Sequence, residues 1–205
     1  MSSFSVMATE VITNIIPGLH DKKGTGEYDL IIKQVASVQL VPLPTIRAEQ
    51  SFQRSSDKCF SPANKNPDFY PNYINSDIIE SKPMGIAKVY IFTALGKPVI
   101  SSLSELKGKK VGARLGFSYG NKVDTSGVKL TLVNSLDKNI KKLQSGRIDA
   151  MIDFVPDVYL ALESLGLPEL PHDKSNPVAV HNDSVICKKA AQTEQFIAEL
   201  NQKIK

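Results

Sequence analysis

The chain has 205 residues, 41% of them hydrophobic and 22% charged, with a net charge of +4. That length allows one large domain or two small lobes with a real core, and no apolar run approaches the ~18 residues that span a bilayer. The positive charge is scattered, and its denser groups, Lys107/Lys109/Lys110 and Lys138/Lys141/Lys142, lack interleaved aromatics, so they read as solvated surface rather than a nucleic-acid footprint.

In chain order, residues 4–16 read as a strand running into a loop, and Pro17, Gly18, Gly24 and Gly26 mark an irregular connection. From Tyr28 to Val38, the residues Leu30, Ile31, Ile32, Val35 and Ala36 form an apolar helical stripe. QLVPLP is a short strand stopped by its prolines, and Thr45 caps a helix that runs to about Ser55. KCFSP is the next strand, 61–77 is an Asn-, Pro- and Asp-rich loop, and 86–94 is a clear strand broken by Gly96-Lys97-Pro98.

Ser104 then caps the turn SELKG, and the strand KKVGARL ends at Gly116. VKLTLV is another strand. Ser135 caps a helix carrying Leu136, Ile140 and Leu143, closed by Gly146. RIDAMID is a strand, and Pro156 opens a helix at its tolerated first position, with Gly166 at the end. After the loop LPELPHDKSNP, AVHNDSVICKK is a strand and AQTEQFIAELNQKI an amphipathic helix. Strands alternating with helices argue for parallel βαβ units in two sets, with the chain crossing near 92–98 and returning near 174–180.

Ligands of open α/β sheets bind beyond the carboxyl ends of the strands. Two features lie there: the turn Gly116-Phe117-Ser118-Tyr119-Gly120, and Asp153 followed by Phe154. A glycine lets backbone approach a ligand, and a helix amino terminus favours an anion. The plain alternative for Asp153 is a cap on the helix at Pro156, and Asp149, which begins its strand, reads as structural.

Cys59 and Cys187 form no Cys-x-x-Cys and no cysteine–histidine cluster, which argues against structural zinc. Each sits in a strand-like run, so two buried thiols and one disulfide in an oxidising compartment are both open readings. The amino terminus, MSSFSVMATEV, has no basic region followed by an apolar stretch. This leaves a cytoplasmic protein or a mature exported domain.

Laid out this way, the chain resembles the extracytoplasmic solute-binding proteins of the polar-amino-acid ABC transporter class (bacterial family 3). The match is clearest in Ile100-Ser-Ser-Leu-Ser-Glu-Leu-Lys-Gly-Lys-Lys-Val-Gly, in Gly116-Phe-Ser-Tyr-Gly, and in Leu143-Gln-Ser-Gly-Arg-Ile-Asp-Ala-Met-Ile-Asp. Looser matches are Pro44-Thr-Ile-Arg47-Ala, Cys59-Phe-Ser-Pro62, Ser81-Lys-Pro-Met and the closing strand and helix.

The resemblance implies an α/β type II periplasmic-binding-protein fold, with mixed sheets flanked by helices in two lobes around a hinge. Lobe one would comprise 1–93 plus 178–205, and lobe two 94–177. It further implies a periplasmic monomer without cofactor or metal, taking a small polar solute and serving an ABC permease or a sensor at the membrane. In an exported protein, Cys59 and Cys187 would be bridged across adjacent lobe-one strands. Gly116, Phe117, Ser118 and Tyr119 would meet a ligand carboxylate, Asp153 beside Phe154 would hold its ammonium, and Arg47 and Ser81 would contribute from lobe one.

One departure stands out. The stretch NKNPDFYPNYINSDIIESKPM has no arginine where amino-acid binders of this class clamp the α-carboxylate bidentately. Lys82 is the nearest cation and does not replace a planar fork. Arg114 precedes the turn and is expected to point away from it. Tyr70, Tyr73, Tyr90 and Tyr119 are candidates to line a pocket.

Two further functions compete with solute binding. A dehydratase acting on cyclic acids on the same scaffold would need a placed acid or base. Yet His20, His172 and His181 sit in no recognisable constellation, and no nucleophile elbow, zinc motif or phosphate loop is present. A module that binds a protein partner is the third reading.

Overall fold

The computed structural model describes residues 8–73 and 76–205. Residues 4–7 of the first expected strand and residues 74–75 of the Asn/Pro-rich loop lie outside them. The chain divides into two compact units, one running up to Gly85 and resuming at Asn182–Lys205, the other Ile86–His181. The sequence reading set these crossings at 93/94 and 177/178.

In the first unit, β1 (Thr9–Asn14) lies parallel to both β2 (Val38–Leu43) and β3 (Cys59–Ala63). Strand β9 (Ala179–Lys188) runs antiparallel to β3 and also takes the short β4 (Ile78–Glu80). Helices α1 (Glu27–Ile32), α2 (Thr45–Gln53) and α6 (Ala191–Lys203) cover this sheet. One core gathers Val11, Ile32, Val185, Phe196 and Leu200, and a second gathers Ile12, Phe52, Phe60, Tyr73 and Ile186. Apolar residues alternate between the sheet's two faces along β1 and β9, which is why both faces can be buried.

Cys59 faces Cys187 in the β3–β9 register, and the two form a disulfide, so the bridged reading of the cysteines holds.

In the second unit the strand order is β5 (Gly85–Phe92), β8 (Ala150–Val155), β6 (Val111–Arg114), β7 (Leu130–Val133). Strand β6 is parallel to β7 and β8, whereas β5 is antiparallel to β8. Helix α3 (Asn121–Asp124) is a single turn, and α4 (Leu136–Gln144) and α5 (Asp157–Ser164) pack the core of Phe92, Ile140, Leu143, Met151, Val158 and Leu162.

Ser135 caps α4 as expected, its side chain accepting the Lys138 N–H. The cap of the turn at Leu103–Leu106 is Ser102 rather than Ser104, because Glu105 folds back onto the N–H groups of Ser101 and Ser102. Pro156 likewise stands one residue before α5 instead of opening it.

Candidate functional site

Strands β6 and β8 run parallel side by side, and the turn after β6 and the later residues of β8 carry the residues singled out by the sequence. Gly116 and Gly120 take φ of +86° and +92°, a left-handed backbone that L-residues with side chains adopt only under strain. The chain between them is thereby held off both ladder and helix. Leu115 still donates to the Val133 carbonyl, and Gly120 donates to the Ser118 hydroxyl at 3.4 Å. No acceptor among the described residues takes the N–H of Gly116, Phe117, Ser118 or Tyr119. Four consecutive backbone donors are therefore open; Gly116 is exposed, but Phe117, Ser118 and Tyr119 are half-buried or buried, where N–H groups are normally paired.

Beneath this turn lies Arg114. Its guanidinium is buried and donates through Nε to both oxygens of Asp153 (2.9 and 3.1 Å) and through Nη2 to Asp153 Oδ1 (2.5 Å) and Asp157 Oδ2 (2.6 Å). Nη1 has no acceptor among the described residues. The Phe117 ring covers the guanidinium at 3.8 Å, a cation–π contact. The expectation that Arg114 points away is therefore overturned. Its side chain is buried and reaches Asp153 in β8 and Asp157 at the start of α5.

Asp153 is 0% exposed and also accepts the N–H of Phe154. Burial pushes its carboxyl up to about 6, with Asp157 adding to the rise and Arg114 opposing it. The same two acids hold the Arg114 pKa above its ordinary value, against the cost of its burial.

Tyr119 is 2% exposed and faces inward. Its hydroxyl accepts the Arg114 backbone N–H at 2.8 Å, and its ring stacks on Phe154 at 5.4 Å. Burial raises its pKa, with Asp153 reinforcing the rise. His181 stands edge-on to Phe154 at 6.0 Å. Gly116 to Tyr119, Asp153 and Phe154 thus come together within the second unit, with Arg114 and Asp157 added. Asp149 serves the sheet by accepting the Lys110 N–H.

Arg47 and Ser81 lie in the first unit. Arg47 is exposed on the first turn of α2 and lines a surface depression of about 460 Å³ with Leu43, Gln50, Ser51, Arg54 and Lys58. Ser81 is buried, its hydroxyl donating to the Lys82 carbonyl and accepting the Val185 N–H. Tyr70 and Tyr73 stack at 5.3 Å in the same unit, and Tyr90 packs against His172 in the other.

One constellation escaped the sequence reading. His20 joins Asp29 through Nδ1 (2.6 Å) and Ser61 through Nε2 (2.9 Å), and all three residues are 0% exposed. The residue types match a nucleophile–base–acid relay, but a Ser61 hydroxyl closed to solvent meets no substrate. Asp29 also accepts the N–H groups of Asp21 and Gly26, so the relay ties the irregular 14–26 connection to β3. Among the described residues no group of three or more His, Cys, Asp and Glu side chains is placed to hold a metal ion.

No family model and no curated protein matches the chain. Solved structures do. The GluR0 ligand-binding core in complex with L-glutamate is 16% identical over 98% of this chain and 92% of its own, with a TM-score of 0.76. A histidine kinase sensor domain with similarity to periplasmic binding proteins is 16% identical over 98% and 90%, with a TM-score of 0.70. The substrate-binding protein of an amino acid ABC transporter is 18% identical over 96% and 91%, with a TM-score of 0.66. The chain has the two-lobed periplasmic-binding-protein fold that the sequence implies.

Proposed function

We propose that the chain is a solute-binding protein that closes two lobes on a small polar ligand, for delivery to an ABC permease or for sensing. The observation that carries this reading is the turn after β6, whose four consecutive N–H groups have no acceptor among the described residues. Open backbone donors at the carboxyl end of a parallel strand form a ready oxyanion or carbonyl cradle. Hinged closure around the ligand is the motion that this fold supports. Similarity to a transporter's substrate-binding protein and to a sensor domain favours both outlets.

The reading places the protein outside the cytoplasm, and the Cys59–Cys187 bridge supports that location. It also makes the protein a binder and not an enzyme. The buried acids Asp29, Asp153 and Asp157 and the imidazoles of His20 and His172 are all engaged in internal hydrogen bonds, so none stands as an unengaged general acid or base. The test is a thermal-unfolding screen against amino acids, polyamines, organic acids and small peptides. A true ligand raises Tm in proportion to RT ln(1 + [L]/Kd). Absence of any shift across the whole panel would refute solute binding, and turnover of a cyclic acid that is lost in Asp153→Ala would favour the dehydratase reading.

A further inference from the structure

His172 lies in the connection 165–178 between α5 and β9, within the second unit, and its side chain is 1% exposed. The rings of Tyr90 and Phe92 on β5 close on the imidazole at 5.0 and 4.8 Å, and the Tyr159 ring on α5 stands at 5.7 Å. Both ring nitrogens are engaged. Nδ1 lies 2.9 Å from the Leu170 carbonyl, and Nε2 lies 2.9 Å from the Tyr159 hydroxyl. The same hydroxyl is placed to donate to Glu169 Oε1 at 3.3 Å, and that oxygen also receives Lys174 Nζ at 2.7 Å. The titratable groups around the imidazole are therefore Tyr90 of β5, Tyr159 of α5, and Glu169, Asp173 and Lys174 of its own connection.

Neutral His172 leaves this set of contacts one proton short. A carbonyl only accepts, so the Leu170 contact requires the proton on Nδ1. Nε2 is then a bare acceptor, and the Tyr159 hydroxyl has to turn its one proton toward it. Glu169 is left facing the phenol oxygen with no hydrogen between them. The other neutral tautomer sets the Nδ1 lone pair against the Leu170 carbonyl. A second proton, taken from solvent, removes the conflict: Nε2 donates to the Tyr159 oxygen, and the hydroxyl donates to Glu169. The Glu169 carboxylate, 3.8 Å from Nδ1, opposes the cost of burying the imidazolium charge.

We infer that His172 is a proton-operated latch, in which the second proton turns the Tyr159 hydroxyl from His172 to Glu169 and completes a His172–Tyr159–Glu169 chain between α5 and the connection that leads into β9. The far side of that connection is held to β5, where Thr93 N–H donates to the Pro171 carbonyl and the Tyr90 hydroxyl to the Lys174 carbonyl. Protonation thus sets how firmly the connection is clasped between α5 and β5. The latch lies within the second unit and stands whether or not a solute binds the turn after β6.

The test is a pH titration of the whole chain by NMR, following the His172 ring nitrogens, Tyr159 Cζ and the exchange of the Thr93 amide. In the wild type, acidification protonates both ring nitrogens in the folded protein, and Tyr159 Cζ shifts with the same midpoint. Protection of the Thr93 amide, corrected for the intrinsic pH dependence of exchange, rises with that midpoint too. Tyr159→Phe lowers the His172 midpoint by about 1 pH unit, because the cation loses a hydrogen bond, and abolishes the pH-linked gain in protection. Glu169→Gln keeps an acceptor for the hydroxyl but not the charge, so the midpoint falls while the Tyr159 Cζ shift persists. An Nε2 that stays bare down to acid unfolding would overturn the latch. So would a His172 titration that leaves Tyr159 Cζ unmoved, or an unchanged midpoint in Tyr159→Phe. If Tyr159→Phe does not fold, the wild-type titrations of Nε2 and Cζ decide.

Discussion

At the scale of single residues, the Arg114–Asp153–Asp157 cluster is the least ordinary feature of the chain, because buried charges are costly unless paired. Asp153 is pushed up to about 6 in the folded protein from an ordinary value of 3.8, so the folded state binds its proton more tightly than the unfolded state does. The sign follows from linkage. Between about pH 4 and pH 6 this group makes unfolding harder as the pH falls, and the stabilisation is lost as the pH rises through 6. Urea titrations across that window should show wild-type stability increasing on acidification relative to Asp153→Asn, whose own curve lacks this component; parallel curves would contradict the assignment. Tyr119→Phe removes the hydroxyl that accepts the buried Arg114 N–H. It should cost about 1–3 kcal/mol in urea unfolding, the usual penalty of an orphaned buried donor, and a loss within experimental error would show that water or a shifted backbone replaces the hydroxyl.

At the scale of elements, strands with dense β-branched or aromatic runs were legible. β6 and β9 fall inside the segments that their composition marks, and β5 and β8 overlap theirs, β5 starting one residue earlier and β8 running on to Val155. So did α4, where Ser135, the apolar spacing and the terminal glycine agree. Helix α1 stops at Ile32 although its apolar stripe continues to Val38, because Val38 pairs with Thr9 and belongs to β2. That is tertiary pairing overriding local pattern. Strand β4 lies just beyond the Asn/Pro-rich stretch and carried too few residues to show a period. The Ser102–Glu105 box was present as an S-x-x-E signature, but the cap was placed at Ser104 instead.

What sequence alone withheld were contacts between elements far apart in the chain: Arg114 with Asp153, and His20 with Ser61. No local period encodes which distant side chains a sheet brings together. The turn residues 116–119 were found because glycines at both ends announce them. The β3–β9 disulfide closes a separation of 128 residues. Reducing it should lower unfolding stability by about 2–5 kcal/mol, as measured by urea unfolding with and without reductant, and a Cys59→Ala/Cys187→Ala protein should match the reduced form. Equal stability in both states would mean that the β3–β9 ladder alone holds the two strands.

At the scale of the whole molecule, the chain leaves its first unit within β5 and returns within β9, so both crossings are strands rather than long loops. The first unit is discontinuous and the second is inserted in it, and the fold agrees with solved ligand-binding cores over nearly the full chain. The central claim is that the Gly116–Tyr119 turn is a ligand cradle. It is tested most directly by following the amide protons of Gly116, Phe117, Ser118 and Tyr119 by NMR while titrating carboxylate and carbonyl solutes. The account predicts that at least one solute shifts all four amides saturably and downfield, as each N–H gains an acceptor from the ligand, together with a rise in Tm. Solutes that raise Tm while leaving these four amides unmoved would contradict it.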